Sequence, residues 1–461
     1  MPLEAPIHAR QDIRFAARFF VLFFHMKFPV LLTCLLATGP LLAQPATTPL
    51  FWPDRQGPTR DGIIPESEAA KLPTEVDEAS GKGIAWKTPL ENEGHCSPVI
   101  GGDLVWFTSA TKDGHKMYVH AINRHDGKFV HDKLIFENEA PEELGNPINN
   151  YAAPSPLVEA DGAYVHFGTY GTAKLDPVTA KVIWQRRDIN VRHFRGPGSS
   201  PALFENLLIL TFDGIDKQFV TALDKNTGKT VWLTARTTDY GDLDKEGKPT
   251  RDGDLRKAYG TPTFMNVDGS WQVISVGSRA AFGYDMKTGK EIWTIKHAEF
   301  NASARPVVKG NVVYINTGSD RSHLIAIKLD KNTAGDVTGT PAVLWDRAKR
   351  NATLSCPILV NDYIFQATGA AVGTCADLKT GEDVWSERIS PGKFVAAPIA
   401  TKERIYFISD TGDLTVVAPG PEFKILSSGK FDSPVTASPA VADGAIFVRT
   451  KTHLCKVVQA K

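Results

Sequence analysis

Cysteine is scarce in this chain, five in 461 residues, far too few for a disulfide scaffold. Excess charge of either sign is missing as well: 52 Lys and Arg balance 52 Asp and Glu. That balance argues against the broad basic face on which nucleic-acid binding relies. The longest apolar stretch, near the N-terminus, is broken by Arg18, His25, Lys27 and Pro29, so it falls short of the ~20 residues that cross a bilayer. No Gly-x-Ser-x-Gly elbow, His-Glu-x-x-His pair or phosphate loop occurs, so the usual local signatures of hydrolase, zinc protease and nucleotide chemistry are lacking. What is present is globular: 42% hydrophobic, 23% charged and rich in Gly, Pro and Trp. That suffices for one large domain or several small ones.

The N-terminus carries an export pattern. Met26 and Lys27 precede an uncharged apolar run over 28–38, and Ala43, after Leu41 and Leu42, is the small residue for cleavage. A short positive start, an apolar core of about 7–15 residues and a small residue at the cut describe a secretory signal peptide. Residues 1–43 are therefore expected to comprise an over-extended start followed by a signal peptide, with translation beginning at Met26 and export to the periplasm or cell envelope. A lipid attachment at Cys34 is the alternative, which would associate the protein with a membrane without spanning it. Residues 44–82 then form a lead-in segment.

From residue 83 onward the sequence repeats. Asp176-Pro-Val-Thr-Ala-Lys-Val-Ile-Trp184 recurs as segments running from Asp224 to Trp232, Asp285 to Trp293 and Asp377 to Trp385, with a degenerate copy from Asn123 to His131 and an expanded one ending at Trp345. Asp bonds the backbone of its own turn, and Gly four places later supplies positive φ for a tight hairpin. The residues that follow alternate as a strand. A second mark, a Pro opening another alternating strand, occurs eight times: Pro98, Pro156, Pro201, Pro262, Pro306, Pro357, Pro398 and Pro439. Each unit reads as four short antiparallel strands, and residues 83–461 divide into eight units of about 47 residues, the size of a propeller blade. The predicted fold is all-β: an eight-bladed β-propeller of four-stranded antiparallel blades. Cys455 matches Cys375 in position but has too few residues after it for an outer strand. The orphan strand beginning at Gly83, which contains Trp86, is therefore expected to complete the last blade and close the ring. The repeated Asp residues read as turn caps, and Trp184, Trp232, Trp293 and Trp385 as wedges between blades.

Asp-x-x-Thr-Gly-x-x-x-Trp on a Ser-Pro-led four-strand unit resembles the PQQ-repeat, or quinoprotein-like, β-propeller family. The opening that starts at Trp52 and includes Arg55, Gly57, Pro58, Arg60 and Gly62 is similar to that of exported bacterial members, with Gln56 as a departure. The resemblance implies one of two functional classes: periplasmic dehydrogenases carrying pyrroloquinoline quinone and Ca²⁺, or non-catalytic scaffolds similar to BamB. The alcohol-dehydrogenase branch carries two adjacent Cys over the quinone, and no two Cys are adjacent here. No carboxylate set for the cation aligns either. The leading expectation is an exported non-catalytic scaffold that binds a protein at the cell envelope, with no cofactor. The alternatives are a quinone dehydrogenase with PQQ and Ca²⁺ at a divergent site, and a propeller that binds a carbohydrate or other small ligand.

In a propeller the loops entering each innermost strand surround the mouth of the channel. Here they carry His95, Tyr151, His193, Arg195, Tyr259, Asn301 and Arg305, and such loops are the expected binding face. His193 and Arg195 are the strongest pair, since a basic pair at a closed channel suits a carboxylate. Asp242, Asp244 and Glu246, followed by Gly247, resemble the first half of a calcium loop. Gly253 stands where the closing carboxylate belongs, so the segment also reads as a solvated acidic loop. His115, His120, His125 and His131 have spacings that fit no metal site, and the Cys residues read as buried packing groups.

Overall fold

The computed structural model describes residues 49–145, 148–319 and 321–460; the segment expected from the sequence to direct export lies outside them. Eight antiparallel sheets are arranged as successive blades. Blade 1 contains Val99–Gly101, Leu104–Ala110, Lys116–Asn123 and Phe129–Glu137, and each later blade repeats that order from the channel outward. The alternation of apolar and polar residues sets this arrangement. The second and third strands of each blade are buried on both faces, as in Gly162–His166 and Ile405–Ile408, whereas outer strands such as Val182–Arg186 are largely exposed. No described helix is long and apolar enough to cross a membrane.

The ring closes as the sequence predicts. Ile84–Pro89 pairs with His453–Val457, so the last blade takes its outer strand from the N-terminal side of the chain. Every outer strand also carries an irregularity just before the Trp position, as between Val182 and Trp184 and at the matching places in the other blades. At Trp86, Trp184, Trp232, Trp345 and Trp385 this extra residue turns the indole toward the neighbouring blade.

The repeat is a lock between neighbours. Asp224 Oδ1 accepts from the backbone N–H and hydroxyl of Thr227, and the same cap recurs at Asp176, Asp285 and Asp377. The turn then presents its glycine to the Trp of the preceding blade. A Cβ at Gly127, Gly228, Gly289 or Gly381 would lie 2.7, 2.7, 2.5 or 2.6 Å from the indole of Trp86, Trp184, Trp232 or Trp345. Each of these indoles donates its N–H to a carbonyl of the same turn, at Arg124, Lys225, Met286 and Leu378 respectively. Where blade 1 has His131 in place of Trp, blade 2 has Ala180 in place of Gly, and His131 Nε2 meets Val178 O at 2.9 Å. Trp293 departs from the expected wedge: its indole donates to Gln272 Oε1 within its own blade. The expanded fifth unit explains this, because Gly335–Asp336 pairs in parallel with the outer strand of blade 4 at Trp293 and Thr294.

The Ser-Pro mark is a second ring. Ser97 N–H donates to Ser155 Oγ in the next blade (2.8 Å), Ser155 N–H to Ser200 Oγ (2.9 Å) and Ser200 N–H to Thr261 Oγ1 (3.0 Å). Arg305 N–H reaches Cys356 Sγ, Ala397 N–H reaches Ser438 Oγ and Ser438 N–H returns to Ser97 Oγ. A hydroxyl or thiol before six of the eight Pro residues thus stitches six of the eight blade junctions around the channel. The four described cysteines are all buried and unpaired with one another.

Candidate functional site

The lead-in fills the channel. Leu50–Trp52 pairs with the innermost strand of blade 1, entering from the face opposite the mouth. The chain turns at Asp54 and Gly57 and leaves beside blade 7, where Ile64 N–H meets Ala400 O. Along the way it touches the other blades. Pro53 O accepts from Val158 of blade 2, Arg60 donates to Leu203 O of blade 3, and Arg55 meets Thr261 at the start of blade 4. Gly62 abuts Ile358 of blade 6, and Glu68 accepts from Gly444 of blade 8. The anchor to blade 5 is ionic: Arg305 clamps the Asp54 carboxylate through both terminal nitrogens, at 2.5 and 3.0 Å. Both groups are buried. Burial alone would raise the Asp54 carboxyl, but Arg305 and the Gln56 backbone N–H hold it below its ordinary value.

Above this plug lies a cup of about 360 Å³ that opens at the mouth. Its lining includes four of the residues predicted from sequence, His95, Arg195, Tyr259 and Asn301, together with Arg55 of the plug. His95 is neutral at pH 7, since burial lowers its pKa to about 4. Arg195 pairs with Asp254 through Nε and Nη2, at 3.1 and 2.8 Å, and Asp254 is also bound by the buried Lys257 ammonium. Burial opposes the charge on Asp254, but Lys257 and Arg195 outweigh it and keep the carboxyl ionised. The Asn301 amide oxygen is buried without a partner.

The other three predicted residues stand outside the cup. His193 is buried beneath Gly168 and accepts the Thr169 N–H at Nε2 (3.0 Å), and burial lowers its pKa to about 4. The expected His193–Arg195 pair therefore does not converge on one ligand. Tyr151 packs over Gly114 and donates its hydroxyl to Glu142 O, and Arg305 is engaged by the plug. In the acidic loop, both Asp242 oxygens receive Arg256, while Asp244 caps the backbone of Glu246 and Lys248. Those carboxylates do not converge, and no group of three His, Cys, Asp or Glu among the described residues could hold a metal. The described residues of this cup therefore offer no carboxylate donor set for a Ca²⁺-assisted quinone centre.

Two features were invisible to spacing. Arg55 reaches the cup only because its segment folds back into the channel. Ser109, His120 and Asp132, on three adjacent strands of blade 1, form a row with Ser109 Oγ 2.6 Å from His120 Nε2 and His120 Nδ1 3.2 Å from Asp132. The order is that of a hydrolytic triad, but Ser109 is buried and its strand neighbours are engaged in the ladder, leaving no oxyanion donors. Burial also lowers the His120 pKa to about 4, which makes it a poor general base at neutral pH.

Comparison with known proteins agrees with this geometry. Residues 216–355 match the family described as outer membrane protein assembly factor BamB. BamB from Moraxella catarrhalis superposes with a TM-score of 0.55 at 13% identity, covering 82% of this chain and 97% of that one. Quinohemoprotein alcohol dehydrogenase from Comamonas testosteroni gives 0.61 at 12% identity, covering 88% and 80%. A tetrathionate hydrolase from Acidithiobacillus ferrooxidans is 23% identical over 192 residues, and the match spans 38% of that relative's length. The Asp-to-Trp repeat, the ring of eight four-stranded blades and the match over 216–355 together support the resemblance to the PQQ-repeat β-propellers.

Proposed function

We propose that the protein acts by binding rather than by redox chemistry, as an exported cell-envelope scaffold that presents its propeller mouth to a protein partner. The lead-in carries this reading. It fills the channel from one face and leaves a cup at the other, so the ring offers a receptacle instead of a passage. The match to an outer-membrane assembly factor over 216–355 and the apolar run over 28–38 support the same reading. Apolar side chains at the mouth, Ile148, Leu354 and Val395, give a partner contact area around the polar cup. The test is a photo-crosslinking residue at position 354, at the mouth, compared with one at position 310, in a hairpin on the opposite face. A discrete protein adduct formed in the envelope from 354 alone supports the proposal. No adduct from 354, or the same adducts from both positions, refutes it.

A further inference from the structure

The cup has an unusual balance of hydrogen-bonding groups. No Asp or Glu among the described residues lines it. Its floor is Arg55, whose hydrogen bond to Thr261 Oγ1, at 3.4 Å, leaves the guanidinium without a carboxylate among the described residues. Around that floor stand Ser97, Ser155, Ser200 and Ser438, all of which also line the cup. Each of their hydroxyl oxygens already accepts a backbone N–H from the preceding blade. A serine hydroxyl that accepts in this way still has its own hydrogen to donate, and none of the four donates to a protein group among the described residues. The wall adds a further positive charge, because Arg195 and Lys257 share the single carboxylate of Asp254.

We propose that the floor of the cup is an oxyanion receptor that takes a carboxylate. Arg55 supplies the charge and the serine ring supplies O–H donors. Charge-assisted bonds from a planar guanidinium match the two oxygens of a carboxylate. Water occupies ~30 Å³ per molecule, so the cup has room for a body several times larger than a bare inorganic anion. Tyr259 and the Asn301 amide line the space where that body lies. The receptor is completed only by the lead-in. Arg55 belongs to a segment that Asp54 and Arg305 lock in the channel, so the propeller without its lead-in lacks the guanidinium of the floor.

A carboxylate of this kind comes from two sources, a free organic acid or the C-terminus of a polypeptide. The inference rests on the mouth being the binding face but not on the partner being a protein. The test is calorimetric titration of the intact protein with two matched pairs: glucuronate against glucose, and acetyl-trialanine against its C-terminal amide. Each is repeated with Arg55→Gln and Arg55→Lys. The expected result is binding of at least one acid, no binding of its neutral counterpart, a loss of tenfold or more in Arg55→Gln and partial recovery in Arg55→Lys. Because His95 is neutral throughout, the affinity should stay level between pH 6 and 8. Whichever acid binds identifies the source. If neither acid binds, or if Arg55→Gln binds as tightly as the wild type while melting at the same temperature, the inference is overturned. A crosslinked partner without acid binding removes this inference and spares the scaffold; acid binding without a partner does the reverse.

Discussion

Gly289 and Gly310 provide a controlled test of the lock between blades. Both hold positive φ, +70° and +60°, so an alanine at either site meets the same backbone penalty of about 1–2 kcal/mol. Reduced freedom of the unfolded chain returns about 0.4–1 kcal/mol of this in both cases. They differ in what the new methyl group meets. At Gly310 nothing lies within 4 Å, whereas at Gly289 the Trp232 indole carbons stand at 2.5 Å and Thr234 Oγ1 at 2.9 Å. The indole is tethered to Met286 O at 3.1 Å, so it cannot withdraw without losing that bond. Overpacking of this kind adds about 1–3 kcal/mol. Gly310→Ala should therefore cost less than about 1.5 kcal/mol and Gly289→Ala about 2–4 kcal/mol, by urea unfolding followed through Trp fluorescence. A third arm copies the arrangement found between blades 1 and 2: Trp232→His combined with Gly289→Ala should cost less than the sum of the two single changes. Equal destabilisation at Gly289 and Gly310 would refute the argument that the repeated Trp and Gly act on each other.

Removing residues 44–88 should leave blade 8 without its outer strand and the channel without its plug. A truncated protein that is soluble with an unchanged melting temperature would contradict both roles. Asp54→Ala leaves Arg305 buried without a counter-ion, a loss of about 3–5 kcal/mol. Because the folded Asp54 pKa is depressed below 3.8, its pairing is fully present above that value and fades as pH falls below it. Asp54→Asn should therefore lack this acid-dependent component of unfolding. The buried imidazoles act higher on the scale. His95, His120 and His193 titrate at about 4 and His166 at about 3 when folded, against 6.5 when free. The unfolded chain then binds more protons below pH 6.5, so stability should decline from pH 6.5 toward pH 4, with a shallower slope in His166→Asn; a level profile over that window would contradict the neutral burial of these rings. Titrating pyrroloquinoline quinone with Ca²⁺ into the protein should give no one-to-one binding, and stoichiometric uptake would restore the dehydrogenase alternative.

The architecture was legible because each blade repeats the same local chemistry. The Asp cap, the turn glycine, the Trp and the Ser-Pro mark are all short-range signals, and four clean copies of the first three with eight of the Pro leave little ambiguity. Closure was legible for a related reason: Cys455 lacked a following strand and Trp86 lacked a preceding one. The site was legible only in part. His95, Arg195, Tyr259 and Asn301 line the cup because the loops entering the inner strands do converge there. His193 and Tyr151 lie on the same loops but turn into the blade wall, a choice made by packing against Gly168 and Gly114. Arg55 and Arg305 could not be assigned from spacing, since Asp54 and Arg305 are 251 residues apart and meet only when the lead-in doubles back inside the ring. What the Ser-Pro mark does was likewise hidden, because its bonds run between blades and not within them.

The strand Ile84–Pro89 has a further consequence, one of timing. It is among the first parts of the propeller to be made, yet its partner His453–Val457 is among the last. As the chain emerges, seven blades can form while the eighth waits, and the strand near Trp86 must remain unpaired until His453–Val457 is available. The plug waits with it, since its contacts are distributed over every blade. Assembly of the ring thus ends in a single late event that pairs Ile84–Pro89 with His453–Val457 and seats the plug. A nascent or C-terminally clipped chain would expose an open sheet edge, the kind of surface that recruits chaperones or aggregates. The protein's slow step is expected to be this closure, and its rate should depend far more on the integrity of the last blade than on that of any blade between.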